Sequence, residues 1–91
     1  MAVYLITYDL NKETKRPPIV DKIKTVSGGN WARLSESCYA ISHFGTPEQV
    51  YGEIKPLIDS NDFLYIITLK KPYTGFGPKD VNEWLEANLT Y

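Results

Sequence analysis

Seven consecutive positions near the N-terminus, Ala2 to Tyr8, are mostly aliphatic, β-branched or aromatic, and the run stops at Asp9, Leu10 and Asn11. An apolar run of that length, bounded by turn formers, predicts a strand with both faces covered. Because strand side chains alternate, Tyr4, Ile6 and Tyr8 share one face, and Val3, Leu5, Thr7 and Asp9 share the other. If the strand is central, the carboxylate of Asp9 stands where the sheet ends, held by everything packed behind it. A second largely apolar run, Phe63 to Leu69, is its natural neighbour.

Between the two runs the pattern changes period. Asn11 to Arg16 is polar, and Pro17 and Pro18 mark a helix start, since proline's missing N–H has no partner in a first turn anyway. Ile19, Val20, Ile23 and Val26 then follow helical spacing, which predicts a short amphipathic helix over roughly 18 to 27. Gly28 and Gly29 provide a left-handed stop. Trp31 to Ile41 is extended in character but interrupted by Ser35, Glu36 and Ser37. Two strands joined by a tight turn or bulge, or one long bent strand, both fit that pattern.

Thr46 begins a helix with Pro47 in the first turn and Gln49 placed to complete a capping box. Val50, Ile54, Leu57 and Ile58 form its buried stripe, and Pro56 is expected to kink it by crowding the carbonyl of Gly52. Asp59, Ser60, Asn61 and Asp62 end it. After Phe63–Leu69, an irregular loop over 70–78 leads to a last helix. There Asp80 is the expected cap, with Glu83 three residues on, and Val81, Trp84, Leu85 and Leu89 at helical spacing.

The order strand–helix–strand–strand–helix–strand is the ferredoxin-like α+β arrangement, βαββαβ, with a C-terminal helix added. Its first and third strands are central, and its two crossover helices cover one face of the sheet. Val3, Leu5 and their counterparts in Phe63–Leu69 make the other face apolar. A homodimer, or docking of the final helix, would cover it.

Composition narrows the functional classes. Ninety-one residues, 43% hydrophobic and 23% charged, are expected to form a single ordered domain over residues 1–91. Ten Lys and Arg against eleven Asp and Glu leave no global basicity to recruit nucleic acid. The cations are nonetheless concentrated early, at Lys12, Lys15, Arg16, Lys22, Lys24 and Arg33, which allows a basic patch or a solvated helix face. The lone cysteine, Cys38, excludes an internal disulfide and reads as a small buried thiol. No segment has transmembrane length and no cationic-then-apolar leader opens the chain, so a cytoplasmic protein without membrane partners is expected.

Four short segments carry a resemblance. Tyr8-Asp9-Leu10-Asn11 follows an apolar strand, and Ser35-Glu36-Ser37-Cys38-Tyr39 lies in the hairpin. Ile58-Asp59-Ser60-Asn61-Asp62 precedes the last strand, and Glu83-Trp84-Leu85 comes near the end. Together they resemble the small SinR-like proteins. That group is similar to the CRISPR-associated spacer-acquisition subunit and to virulence-associated protein D, within one ferredoxin-like superfamily. The chain shows no helix-turn-helix, so the likeness is not to the DNA-binding repressor of similar name.

The resemblance implies a homodimer associated with RNA or DNA, and a Mg²⁺-dependent nuclease or endoribonuclease chemistry. The proposed metal-binding and catalytic aspartate of the nuclease-like relatives corresponds to Asp9. Two-fold symmetry would bring two copies together as a hard oxygen site for Mg²⁺. The relatives' arginine cluster after the aspartate is lacking, and Lys12, Lys15 and Arg16 stand in its place.

Each candidate also has a plain structural role. Asp9 can fold back onto Asn11 in a turn, and Asn11 can complete that turn or orient a phosphate. Lys12, Lys15 and Arg16 can contact phosphates or form a solvated loop. Ser35 and Ser37 can line the site or serve the strand bend. His43 can be a general base or an exposed strand end. Tyr73 and Phe76 can stack on bases or pack under the final helix, and Trp31 and Trp84 are expected in the core. The rival readings are a non-catalytic dimeric scaffold, a toxin–antitoxin-like interaction module, and a small-molecule-binding regulatory domain.

Overall fold

The computed structural model describes residues 1–90. Its elements follow the expected order: β1 (Ala2–Asp9), α1 (Arg16–Val26), β2 (Trp31–Ser35), β3 (Cys38–His43), α2 (Pro47–Ile54), β4 (Phe63–Thr68) and α3 (Lys79–Asn88). The strands form one antiparallel sheet in the order β2-β3-β1-β4, so β1 and β3 are central and the fold is ferredoxin-like.

Register explains the core. Ile6 of β1 lies opposite Tyr39 of β3 and Ile66 of β4, and Tyr4 lies opposite Ile41. These side chains meet Ile19 and Ile23 of α1 and Val50 and Ile54 of α2 in one buried cluster. Ile6, Ile19, Ile23, Ile41, Val50 and Ile54 are wholly shielded from water. Burying such a side chain contributes about 1.5–3 kcal/mol, so this layer is the main source of stability.

The local signals act largely as expected. Gly28 (φ 63°) and Gly29 (φ 86°) take the left-handed conformation that ends α1. Thr46 accepts from the Gln49 amide at 3.2 Å while the Gln49 side chain accepts from the Thr46 amide at 2.8 Å, a complete capping box. The hairpin is two strands with a register shift between Arg33 and Ser35, which settles it against a single bent strand.

Several boundaries depart from expectation. α1 starts at Arg16, two residues earlier, because prolines fit the first turn and need no apolar neighbour there. At Pro56 the chain tightens into a 3-10 turn over Lys55–Leu57 instead of kinking an α-helix. Without an N–H at Pro56 the α-helical bond to Gly52 cannot form, so the helix stops at Ile54. Pro78 rather than Asp80 occupies the N-cap of α3, and Asp80 falls inside the first turn. Trp31 and Trp84 are both half-buried; Trp31 packs against the main core cluster and Trp84 lies outside it. The Trp31 ring packs 5.9 Å from that of Tyr39 and carries Lys24 Nζ 4.7 Å above it.

The final helix docks on the second face, but only over part of it. α3 packs against β2, and Val3, Ala32, Ala40 and Leu89 are buried there. Polar bonds lock the helix in place: Trp84 Nε1 donates to Asn30 Oδ1 at 2.9 Å, and Asn30 Nδ2 donates to Asn88 Oδ1 at 3.0 Å. The β4 side stays open. Phe63, Tyr65 and Ile67, alternate residues on one face of an edge strand, are 61%, 62% and 49% exposed.

Candidate functional site at the end of the first strand

Asp9 is the last residue of β1 and lies opposite Phe63, the first of β4. By strand alternation its side chain belongs to the open face, with Thr7, Tyr65 and Phe63. It is exposed, and among the described residues its carboxylate takes part in no hydrogen bond or ion pair. The expected turn onto Asn11 does not form, because the Asn11 amide donates instead to Asp62 Oδ1 at 2.9 Å.

Lys15 and Arg16, adjacent at the entrance to α1, reach to opposite sides of this strand end. Lys15 Nζ donates to Asn11 Oδ1 (2.9 Å), Asp59 Oδ2 (2.6 Å) and Asp62 Oδ2 (2.7 Å). The Asp62 side chain has no solvent exposure, and it also accepts the Asp59 amide at 2.9 Å. Its carboxyl is held down to about 2, first by Lys15 and then by the Asn11 and Asp59 amides. Asp59 is also lowered, mainly by Lys15, and the Lys15 ammonium is raised by the same two carboxylates.

Arg16 takes the other side. Its Nε and Nη2 grip the two oxygens of Glu13, at 2.9 and 3.1 Å. Its Nη1 donates to the Glu36 carbonyl, to Ser37 Oγ at 3.1 Å and to Tyr8 Oη at 3.3 Å. The guanidinium carbon lies 5.6 Å from the Tyr8 ring centre. Tyr8 Oη donates to the Glu36 carbonyl at 3.0 Å, and the Tyr8 amide donates to the Ser37 carbonyl at 3.0 Å. Burial raises the Tyr8 phenol above its ordinary value, against the opposing pull of Arg16.

Of the candidate nucleic-acid contacts, Asn11, Lys15, Arg16 and Ser37 are thus gathered near Asp9 but bonded to protein groups. Lys12 alone among them is exposed with no partner among the described residues. Ser35 closes β2 opposite Cys38, whose thiol is pushed up by burial. His43 lies at the far end of its strand, where Nδ1 accepts the Gly45 amide at 2.8 Å. Tyr73 Oη donates to Glu86 at 2.9 Å. Phe76 is 94% exposed, so it does not pack under α3. It borders an apolar groove of about 270 Å³ between α3 and the loop over 70–78, walled by Leu34, Leu69, Val81 and Leu85.

Asp59 and Asp62 lie in a segment that carries part of the resemblance, but they are not among the expected site residues. Their segment reads as a helix stop, and the pairing with a lysine more than forty residues earlier leaves no trace in local pattern. Two local bonds, Asn61 amide to Asp59 Oδ1 at 2.8 Å and Asp59 amide to Asp62 Oδ2 at 2.9 Å, show that the carboxylates there are shaped rather than merely solvated.

The class defined by this architecture is a small ferredoxin-like α+β protein with a carboxylate at the exit of its first strand. No family model matches the chain. It is similar in structure to hypothetical protein TT1823 from Thermus thermophilus, with a TM-score of 0.65 and 21% identity over 85% of this chain and 94% of that one. A likeness at this identity establishes the fold. Among the described residues no helix is long and apolar enough to cross a membrane.

Proposed function

We propose that this chain works as a homodimer closed through the open half of its sheet. In this reading it is a nucleic-acid-associated protein of the SinR-like and CRISPR-associated kind, hydrolysing phosphodiesters of RNA or DNA in the cytoplasm. One observation carries the reading: the unpartnered Asp9 carboxylate shares a face with the exposed row Phe63, Tyr65 and Ile67. A second copy that covers this row comes to rest beside Asp9. Aromatic and aliphatic side chains exposed in a contiguous row mark an association surface, and an isologous contact repeats each group across the axis.

The donor chemistry fits a hard cation. Among the described residues no three His, Cys, Asp or Glu side chains come together within one protomer. A Mg²⁺ site on Asp9 would therefore be completed by the partner's Asp9 and by water, since Mg²⁺ takes few carboxylates and keeps several waters. Bound there, the ion would supply an activated water and charge stabilisation at a phosphodiester. The chain's own part is to hold Asp9 at the end of β1, exposed on the open face.

A second reading, the same dimer as a non-catalytic scaffold or toxin–antitoxin-like module, is favoured by a different observation. Lys15 and Arg16 are bonded within the protomer, which leaves Lys12 as the free cation of that loop for phosphate contact. Incubation of labelled RNA and DNA with and without Mg²⁺ separates the two. Metal-dependent cleavage that disappears in Asp9→Asn supports the nuclease reading, and cleavage undiminished in that variant overturns it. A stable dimer that cleaves neither substrate leaves the scaffold.

A further inference from the structure

We infer that Lys15 and Arg16 are positioning residues for Asp9, bracketing the strand end from its two sides, rather than contacts for a nucleic-acid backbone. The inference rests on Asp9 being the working group. The local clamp it describes stands independently of that reading.

Asp9 has no side-chain partner, so its direction is set by its backbone alone, and it sits at a strand terminus, where ladders fray. On the β4 side its register partner is Phe63, and the connector entering Phe63 carries Asp59 and Asp62. Lys15 joins that connector to Asn11, two residues beyond Asp9, with Asp62 also taking the Asn11 amide. On the β3 side the paired ladder stops at Thr7 and Cys38. Beyond it, the Glu36–Ser37 turn holds β1 through the Tyr8 amide. The side chain that secures this turn is Arg16, which spans Tyr8, Glu36 and Ser37 while Glu13 orients its fork. Consecutive cations thus pin the chain on both sides of Asp9, Arg16 at Tyr8 and Lys15 at Asn11. Lys15 Nζ already spends three bonds on Asn11, Asp59 and Asp62, and Arg16 commits Nε, Nη1 and Nη2 to Glu13, Tyr8, Glu36 and Ser37, which is the arrangement of a brace and not of an open phosphate site.

Amide hydrogen exchange of the full chain tests this, with Arg16→Lys and Lys15→Met as variants. Arg16→Lys keeps the charge and loses the fork, so exchange at Tyr8 should quicken by about tenfold while Ile6 and Ile41 keep their protection. Lys15→Met should do the same at Asn11 and Asp59. In Mg²⁺-dependent cleavage both variants should lower kcat and leave KM unchanged. Unaltered exchange at Tyr8 and Asn11 in both variants overturns the bracket. So does weaker binding to a labelled oligonucleotide with a shallower salt dependence, the mark of a lost phosphate contact. Local loosening in a protein that cleaves nothing keeps the bracket and sinks the Asp9 chemistry instead.

Discussion

Asp62 Oδ2 lies 2.7 Å from Lys15 Nζ, with the carboxylate side chain fully shielded from water. This pair joins the loop leaving β1 to the connector entering β4, and so ties together the two strands that meet at Asp9. It also makes the fold acid-sensitive in a defined window. The Asp62 pKa falls from 3.8 to about 2, because Lys15 and two backbone amides favour its charged form. A depressed carboxyl contributes stability that is present above its unfolded pKa and lost as pH drops through the folded one. Lys15 acts in the opposite sense. Its raised pKa contributes stability below the ordinary 10.5, lost only as pH rises past the higher folded value. The melting temperature should therefore fall between pH 4 and 2, and Lys15→Met should flatten that fall. Equal slopes in wild type and variant would show that the pair does not govern acid stability.

The open row on β4 makes a separate prediction. Tyr65 is central to the row and 62% exposed. Placing a charge there should leave the protomer folded but abolish association. Sedimentation of the wild type should give roughly twice the 10.4 kDa chain mass, and Tyr65→Asp should sediment as a single chain with unchanged circular dichroism. A wild type that stays monomeric at high concentration would remove the paired-aspartate site.

Asp9 itself should be dispensable for folding. It is exposed and unpartnered, so Asp9→Ala should shift urea-unfolding stability by no more than about 0.5 kcal/mol. A large loss would mean that Asp9 is a structural residue.

Ile54 provides the contrast. It is fully buried at the end of α2 in the main cluster. Ile54→Ala should cost about 2–5 kcal/mol in the same measurement, by lost burial and the cavity left behind. The midpoint should move while the slope stays constant, since the unfolded chain exposes nearly the same surface.

Much of this architecture is legible in one dimension because its signals are local. Gly28 and Gly29 end a helix through backbone freedom, and Thr46 with Gln49 begins one through bonds three residues apart. The apolar run Ala2 to Tyr8 is a strand because nothing in it turns. The boundaries that differ are also local, and proline sets both of them. Arg16 opens α1 before its first apolar residue, and Pro78 takes the place expected of Asp80.

The order of elements, the central position of β1 and the placement of Asp9 at a strand exit were all determined by the sequence. Each follows from side-chain alternation, turn chemistry and the alternation of strands with crossover helices. Only the tertiary structure decided which charges are free. Lys15 and Arg16 look alike with Lys12 as loop cations, yet two of the three fold inward onto Asp62 and the Glu36–Ser37 turn. Tertiary packing likewise decided that α3 covers the β2 side of the second face and leaves Phe63, Tyr65 and Ile67 exposed. The reason is common to both cases. Salt bridges and face coverage join residues far apart in the chain, and their partners are chosen by register and helix placement, which no local window contains.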